Sequence, residues 1–206
     1  MKLNFNAIIF DLGGVILNID YHKTIETFKN LGVANFDELY TQAKQNKVFD
    51  DFEIGKISED EFRAYIRRVS NVSLTDVEID FAWNAMLLDL PECRVNLLKQ
   101  LGHKYPIYLY SNTNSIHLKA FRNSIGNYYK DELLLEKLFI KTYYSHELGL
   151  RKPNKEGFLE IIKENHLDKK STLFIDDSEQ HISGANEVGL QTVWLKGKTI
   201  EELFEE

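Results

Sequence analysis

Apolar residues run along this chain in two rhythms. Four short stretches are apolar at consecutive positions: "AIIF" (7–10), "IYLY" (107–110), "TLFI" (172–175) and "TVWL" (192–195). Each is rich in β-branched or aromatic residues. Such unbroken runs predict strands covered on both faces, as in a parallel sheet. A weaker fifth candidate is "LFIKTYYS" (138–145).

Between these runs the apolar spacing is helical. "PECRVNLLKQLGHKY" carries Pro91 near its start and Gly102 near its end, the expected punctuation of a helix. "NKEGFLEIIKENHL" puts Phe158, Ile161 and Ile162 on one side, and "SEQHISGANEVG" runs to Gly189 as a C-terminal stop. Strands alternating with helices predict an α/β, doubly wound parallel sheet. The stretch from 20 to 90 breaks the alternation. It offers only helical periods: "YHKTIETFKNLG", "FDELYTQAKQN", "SEDEFRAYIRRVS" and "LTDVEIDFAWNAMLLDL". Ser58 and Glu61 stand at capping-box spacing. The expected organisation is a core of 1–19 plus 91–206, with 20–90 inserted as an all-helical cap.

Composition narrows the picture. Of 206 residues, 43% are hydrophobic and 28% charged, as in a soluble globular protein. A net charge of -7 argues against a broad nucleic-acid surface. Cys93 is the only cysteine, which excludes an intrachain disulfide. No apolar stretch is long enough to span a bilayer, and the apolar run near the N-terminus meets Asp11 too soon for a signal peptide. The expected location is the cytoplasm.

Candidate chemistry gathers where the apolar runs stop. Asp11 ends the first, Ser111 and Asn112 the second, and Asp176 with Asp177 another; Lys152 lies in a loop, "GLRKPN". The carboxyl ends of parallel strands share one crevice. A carboxylate, two further acids, a hydroxyl, an amide and an ammonium would meet there. That set suits phosphoryl transfer. An aspartate can attack phosphorus, and Mg²⁺ relieves the repulsion between the two anions. Ser111 and Lys152 would neutralise phosphoryl oxygens, and main-chain N–H groups after Asp11, at Leu12 and Gly13, could line the anion pocket.

The stretches "IIFDLGGVI", "LYSNTN", "LRKP" and "LFIDDSEQHISGANEVG", in this order, resemble the four motifs of the haloacid dehalogenase-like hydrolase superfamily. The cap segment "FEIGKISEDEF" resembles a branch holding an α-glucose-1-phosphate phosphatase and the phosphatase domains of epoxide hydrolases. The resemblance implies a Rossmann-like core with a cap and a Mg²⁺-dependent phosphatase acting on a small phosphate ester. It implies Asp11 as nucleophile and Ser111 and Lys152 as phosphate ligands. Asp176, Asp177 and the Gly13 carbonyl would join Asp11 on the metal.

One residue departs from that pattern. The family places a second aspartate, the general acid and base, two residues after the nucleophile; here that position is Gly13. Three readings follow. The substrate's leaving group needs little protonation, as in a hexose 1-phosphate; another group such as Asp20, His22 or a cap side chain substitutes; or the protein binds a phosphometabolite with little or no turnover. Haloacid dehalogenases also lack that aspartate, but need no metal and leave the Asp176–Asp177 pair unexplained.

Simpler roles exist for each residue. Asp11 suits a turn, "SNTNS" a helix cap, and Lys152 a solvated loop. The acidic run "DDFEIGKISEDE" reads as a solvated face, the six histidines as scattered surface or core residues, and Phe81, Trp83 and Met86 as core.

Overall fold

The computed structural model describes residues 4–45 and 47–204, with only the backbone described for 41–45. The ends of the expected core span, 1–3 and 205–206, and Asn46 at the close of the second helical stretch lie outside the described residues.

Five strands form one sheet: β1 (Ala7–Phe10), β2 (Ile107–Ser111), β3 (Lys141–Tyr144), β4 (Thr172–Asp176) and β5 (Gln191–Trp194). Their order is β3-β2-β1-β4-β5, and every pairing is parallel. β1, β2 and β4 are buried throughout, which explains their unbroken apolar runs. β3 is an edge strand and exposed at Lys141, so its sequence signal is the faintest. Alternate β1 side chains serve opposite faces. Ile8 and Phe10 join a core under α6 (Glu92–Gly102), α7 (Ser115–Tyr129), α8 (Leu134–Leu138) and α12 (Ile200–Phe204). Ala7 and Ile9 join another, under α10 (Lys155–Glu164) and α11 (Glu179–Glu187).

Five further helices stand between β1 and α6: α1 (Tyr21–Asn30), α2 (Phe36–Gln45), α3 (Val48–Glu53), α4 (Glu59–Ser70) and α5 (Asp76–Asn84). They gather around their own apolar cluster, with Phe28 stacked on Phe36 and Phe52 on Phe62. Capping boxes start both α4 and α5, at Ser58–Glu61 and Thr75–Glu78. We refer to α1–α5 as the cap.

The stretch "LTDVEIDFAWNAMLLDL" is not one helix. α5 ends at Asn84, and the chain beyond it returns alongside the segment that enters the cap. Ile19 and Leu87 form an antiparallel bridge, flanked by hydrogen bonds from Asp20 N to Met86 O and from Asn18 N to Asp89 O. The entering and leaving strands thus make a paired hinge. Extending the helix would forfeit these bonds, so the tertiary pairing overrides the helical period.

The cap meets the core along two seams. At one, Trp83 of α5 stacks on His117 of α7, with centroids 5.1 Å apart and planes 8° from parallel. His117 Nδ1 lies 2.8 Å from Asn84 Oδ1, and Ile116 packs into the cap's own cluster. At the other, Arg151 Nε donates to Glu53 Oε2 at 2.9 Å and Arg151 Nη1 to Asp50 Oδ1 at 2.7 Å. Close by, Gly55, at φ +70°, lies against the His146 carbonyl of α9 (Ser145–Leu148). A Cβ there would come within 2.5 Å of that oxygen, so this approach requires glycine. The run "DDFEIGKISEDE" is therefore not simply a solvated face, because its first acids hold a core arginine and Phe52 is buried.

Candidate active site

The sheet register assembles the site. Phe10 lies opposite Ile175, which sets Asp11 level with Asp176 at the ends of the central strands. Asp11 N donates to Ile175 O at 2.9 Å, so the main chain keeps this alignment one residue past the strand. Lys152 is 0% exposed. Its ammonium donates to Asp11 Oδ1 at 2.6 Å and to Asp176 Oδ2 at 2.7 Å. A buried lysine on a loop is held there by a second residue. Asn112 Nδ2 donates to Lys152 O, and Lys152 N donates to Asn112 Oδ1, both at 2.9 Å. The Asn112 side chain thus positions the lysine loop, and its second Nδ2 hydrogen is left over for a further acceptor.

Ser111, buried at the end of β2, makes only a long 3.5 Å approach to the Asn112 carbonyl, so its hydroxyl remains available. After Asp11 the chain folds back on itself: Ile16 N and Leu17 N both donate to Leu12 O, and Gly14 N donates to Leu17 O. Among the described residues, no main-chain bond engages the N–H groups of Leu12 and Gly13, or the Gly13 carbonyl. Gly14 takes φ +73°, and a Cβ on it would fall 2.1 Å from Asp177 Oδ2. The second glycine therefore makes room for an acid. The first is different: a Cβ on Gly13 would meet Ile19 Cδ1 at 3.1 Å, because an isoleucine side chain fills that flank.

Asp11, Asp176 and Asp177 bring carboxylate oxygens within 4.8 Å of one another. Against them stands the Lys152 ammonium. Burial raises the pKa of Asp11; Lys152 pulls it back, and the two neighbouring aspartates add to the rise. Burial and the charge of Asp176 push Asp177 up to about 6. For Asp176, burial is outweighed by Lys152 and His181, and its pKa falls below the ordinary value. Such a surplus of negative charge on hard oxygens calls for a compensating cation. The donor set fits Mg²⁺, with Asp11, Asp176, Asp177 and the Gly13 carbonyl as the groups that would hold it.

Three participants escaped the sequence reading. His181, on the first turn of α11, sets Nδ1 3.0 Å from both Asp176 oxygens. Ser178 N donates to Asp176 Oδ1 at 2.8 Å, so the carboxylate is held from that side too. The signal was a histidine five residues past a strand-end acid. Arg151, beside Lys152, ties the site loop to the cap as described. Tyr21 is the third. Asp20 turns away to cap α1, accepting from His22 N, and His22 is exposed. The tyrosine between them stands where the charges of Asp11 and Asp177 reach its hydroxyl. No described helix is long and apolar enough to cross a membrane.

Comparison with known proteins agrees with this architecture. The model of the haloacid dehalogenase-like hydrolase family matches residues 5–189. The D-ribitol-5-phosphate phosphatase of Bacteroides thetaiotaomicron is 32% identical over 185 residues, covering 90% of this chain and 89% of that protein. The sesquiterpene phosphatase astK of Aspergillus oryzae is 28% identical, covering 92% of this chain and 89% of that one. Among solved structures is the HAD family enzyme bt-2542 of Bacteroides thetaiotaomicron, wild type in complex with magnesium and inorganic phosphate. It matches with a TM-score of 0.88 at 38% identity, covering 97% of this chain and 99% of that one. With Asp11, Lys152 and the Asp176–Asp177 pair meeting at the ends of its central strands, the chain belongs to the haloacid dehalogenase-like hydrolase family.

Proposed function

We propose that this protein is a Mg²⁺-dependent phosphatase of small sugar or polyol phosphates that works through an aspartyl-phosphate on Asp11. The observation that carries this reading is the buried Lys152 ammonium clamped between Asp11 and Asp176. Lys152 occupies Asp11 Oδ1, which leaves Oδ2 to attack phosphorus in line. Mg²⁺, when bound, supplies the charge neutralisation that brings carboxylate and phosphate together. The Ser111 hydroxyl and the N–H groups of Leu12 and Gly13 donate to equatorial oxygens as charge builds there. Asn112 fixes the lysine loop, and His181 with Ser178 N fixes the Asp176 carboxylate. The attack breaks the ester P–O bond and the alcohol leaves with a proton from water; a second water then adds at phosphorus, which releases inorganic phosphate and restores the Asp11 carboxylate.

A similar protein bears the name of a polyol 5-phosphate phosphatase, which supports a polyhydroxy leaving group. Gly13 supplies no acid to a leaving group, which suits the anomeric oxygen of a hexose 1-phosphate; the ordinary alcohol of a polyol phosphate has to take its proton from water or another group. The test is phosphate release from ribitol 5-phosphate, glucose 1-phosphate, p-nitrophenyl phosphate and acetyl phosphate. The expected result is Mg²⁺-dependent release, abolished by chelator and lowered at least about a thousandfold by Asp11→Asn. Release that survives Asp11→Asn sinks the mechanism. Phosphate binding without release from any ester makes the protein a phosphometabolite-binding protein instead.

A further inference from the structure

Among the described residues, only two lysine or arginine side chains are buried: Lys152 at the site, and Arg94, 7% exposed, in the first turn of α6. A guanidinium taken out of water is costly unless partners compensate it. Arg94 finds three, all far away in sequence. Its Nε lies 3.3 Å from both carboxylate oxygens of Glu201, on α12. Its Nη1 donates to Ile16 O at 3.2 Å and to Asn18 Oδ1 at 3.0 Å.

An arginine that merely docked α12 onto α6 would need only Glu201. The acceptors of Nη1 belong to neither helix. Both lie on the short segment between Asp11 and the cap. Ile16 closes the turn that follows Asp11: its N–H and that of Leu17 donate to Leu12 O, each at 2.8 Å, and Gly14 N donates to Leu17 O at 2.9 Å. That turn presents the N–H groups of Leu12 and Gly13 and the Gly13 carbonyl. Asn18 opens the hinge. Asn18 N donates to Asp89 O, Leu88 N donates to Asn18 O, and Asn18 Nδ2 donates to Asp89 Oδ1 at 3.0 Å. One guanidinium nitrogen therefore holds the turn at one acceptor and, through Asn18, both hinge strands at the other.

We propose that Arg94 is a positioning residue for phosphoryl transfer, locking the 12–17 turn to the hinge that carries the cap. The groups of Leu12 and Gly13 reach phosphate or metal through the main chain alone, so their aim depends on how firmly the turn is held. Without Arg94, Ile16 O and Asn18 Oδ1 lose a charged donor, and the turn moves independently of the hinge. Lysine cannot take over. Its ammonium is a single nitrogen, whereas the guanidinium meets Glu201 with Nε and the turn and hinge with Nη1. The effect falls on the phosphoryl group and not on the leaving group. This inference rests on the phosphatase reading above for the chemistry that the turn serves.

The test uses Arg94→Lys, which keeps a charge facing Glu201, and Glu201→Gln, which keeps an acceptor for Nε. Amide exchange reads the turn directly. In Arg94→Lys the amides of Gly14, Ile16, Leu17 and Asn18 should exchange about tenfold faster or more, while those of Ile8 and Phe10 in β1 stay unchanged. In the folded variant, kcat/KM should fall about tenfold or more, by the same factor on ribitol 5-phosphate, glucose 1-phosphate and acetyl phosphate, with kcat carrying most of the loss. Asn18→Ala removes the hinge acceptor with Arg94 in place, and should give the same pattern at about three- to fivefold. Glu201→Gln should change each quantity less than about twofold. Unchanged turn amides, or an unchanged kcat, in Arg94→Lys and Asn18→Ala overturns the proposal and leaves Arg94 a stabilising residue only. So does a Glu201→Gln loss as large as that of Arg94→Lys, which assigns the effect to the docking of α12. A wild type that releases no phosphate sinks the phosphatase reading alone. Faster exchange confined to the turn and hinge then still establishes the lock, and unchanged exchange still refutes it.

Discussion

The two seams between cap and core are built from opposite materials. The α5–α7 seam is aromatic and uncharged: Trp83 lies flat on His117, and Ile116 enters the cap's own cluster. The Arg151 seam is ionic and partly open to water, with Arg151 24% exposed beside Asp50 at 39% and Glu53 at 26%. Dry aromatic contacts are costly to part, because apolar area returns to water. Partly hydrated ion pairs are cheap to part, because water replaces each partner. The cap is therefore anchored by the dry seam at the start of α7 and held by charge at the loop that carries Lys152, the contact that parts more readily.

Truncating the anchor should have the largest effect. Trp83→Ala removes a buried ring packed on Phe49, Phe62 and His117. It should cost about 3–5 kcal/mol of stability, read from the urea midpoint.

Acid attacks the same seam. His117 is buried without charge, and burial lowers its pKa from 6.5 to about 3. The neutral form favours the fold, so the full contribution is present above pH 6.5 and is lost as pH falls toward 3. One proton's worth of slope removes about 2 kcal/mol by pH 5. Denaturation curves between pH 7 and 5 should show it, and His117→Gln should flatten the dependence.

The ionic seam should give the smallest change in stability and a separate change in activity. Arg151→Met should cost about 1 kcal/mol or less. It should still lower kcat/KM for ribitol 5-phosphate several-fold, because the loop that carries Lys152 loses its tie to the cap. If Arg151→Met destabilised the protein as much as Trp83→Ala, the distinction between the seams would collapse.

Legibility in the sequence divides along a similar line. The central strands and the acids that end them could be read because a doubly buried strand must be apolar at every position, so a terminal carboxylate stands out. The edge strand β3 was faint because solvent permits Lys141 there. α3 was hidden in an acidic run because its charges answer Arg151, about a hundred residues away, and no local period records that. Asn112 sat at the right strand end, but its occupation by the Lys152 backbone depends on a loop forty residues on. Tyr21 was overlooked between two titratable neighbours. Helix geometry decides between those neighbours: Asp20 serves as the cap and His22 is exposed to solvent.

The isoleucine beside Gly13 ties two properties of the molecule together. Ile19 fills the flank where an acid at position 13 would project, and the same residue bridges to Leu87 in the paired hinge. An aspartate introduced at 13 must push on that side chain, and so on the strand that carries the cap. An acid at 13 therefore fits only if the tip of Ile19 gives way by a few tenths of an ångström or the residue there is made smaller. The two positions are coupled by contact, so Gly13→Asp and a smaller residue at 19 should act non-additively on both turnover and stability.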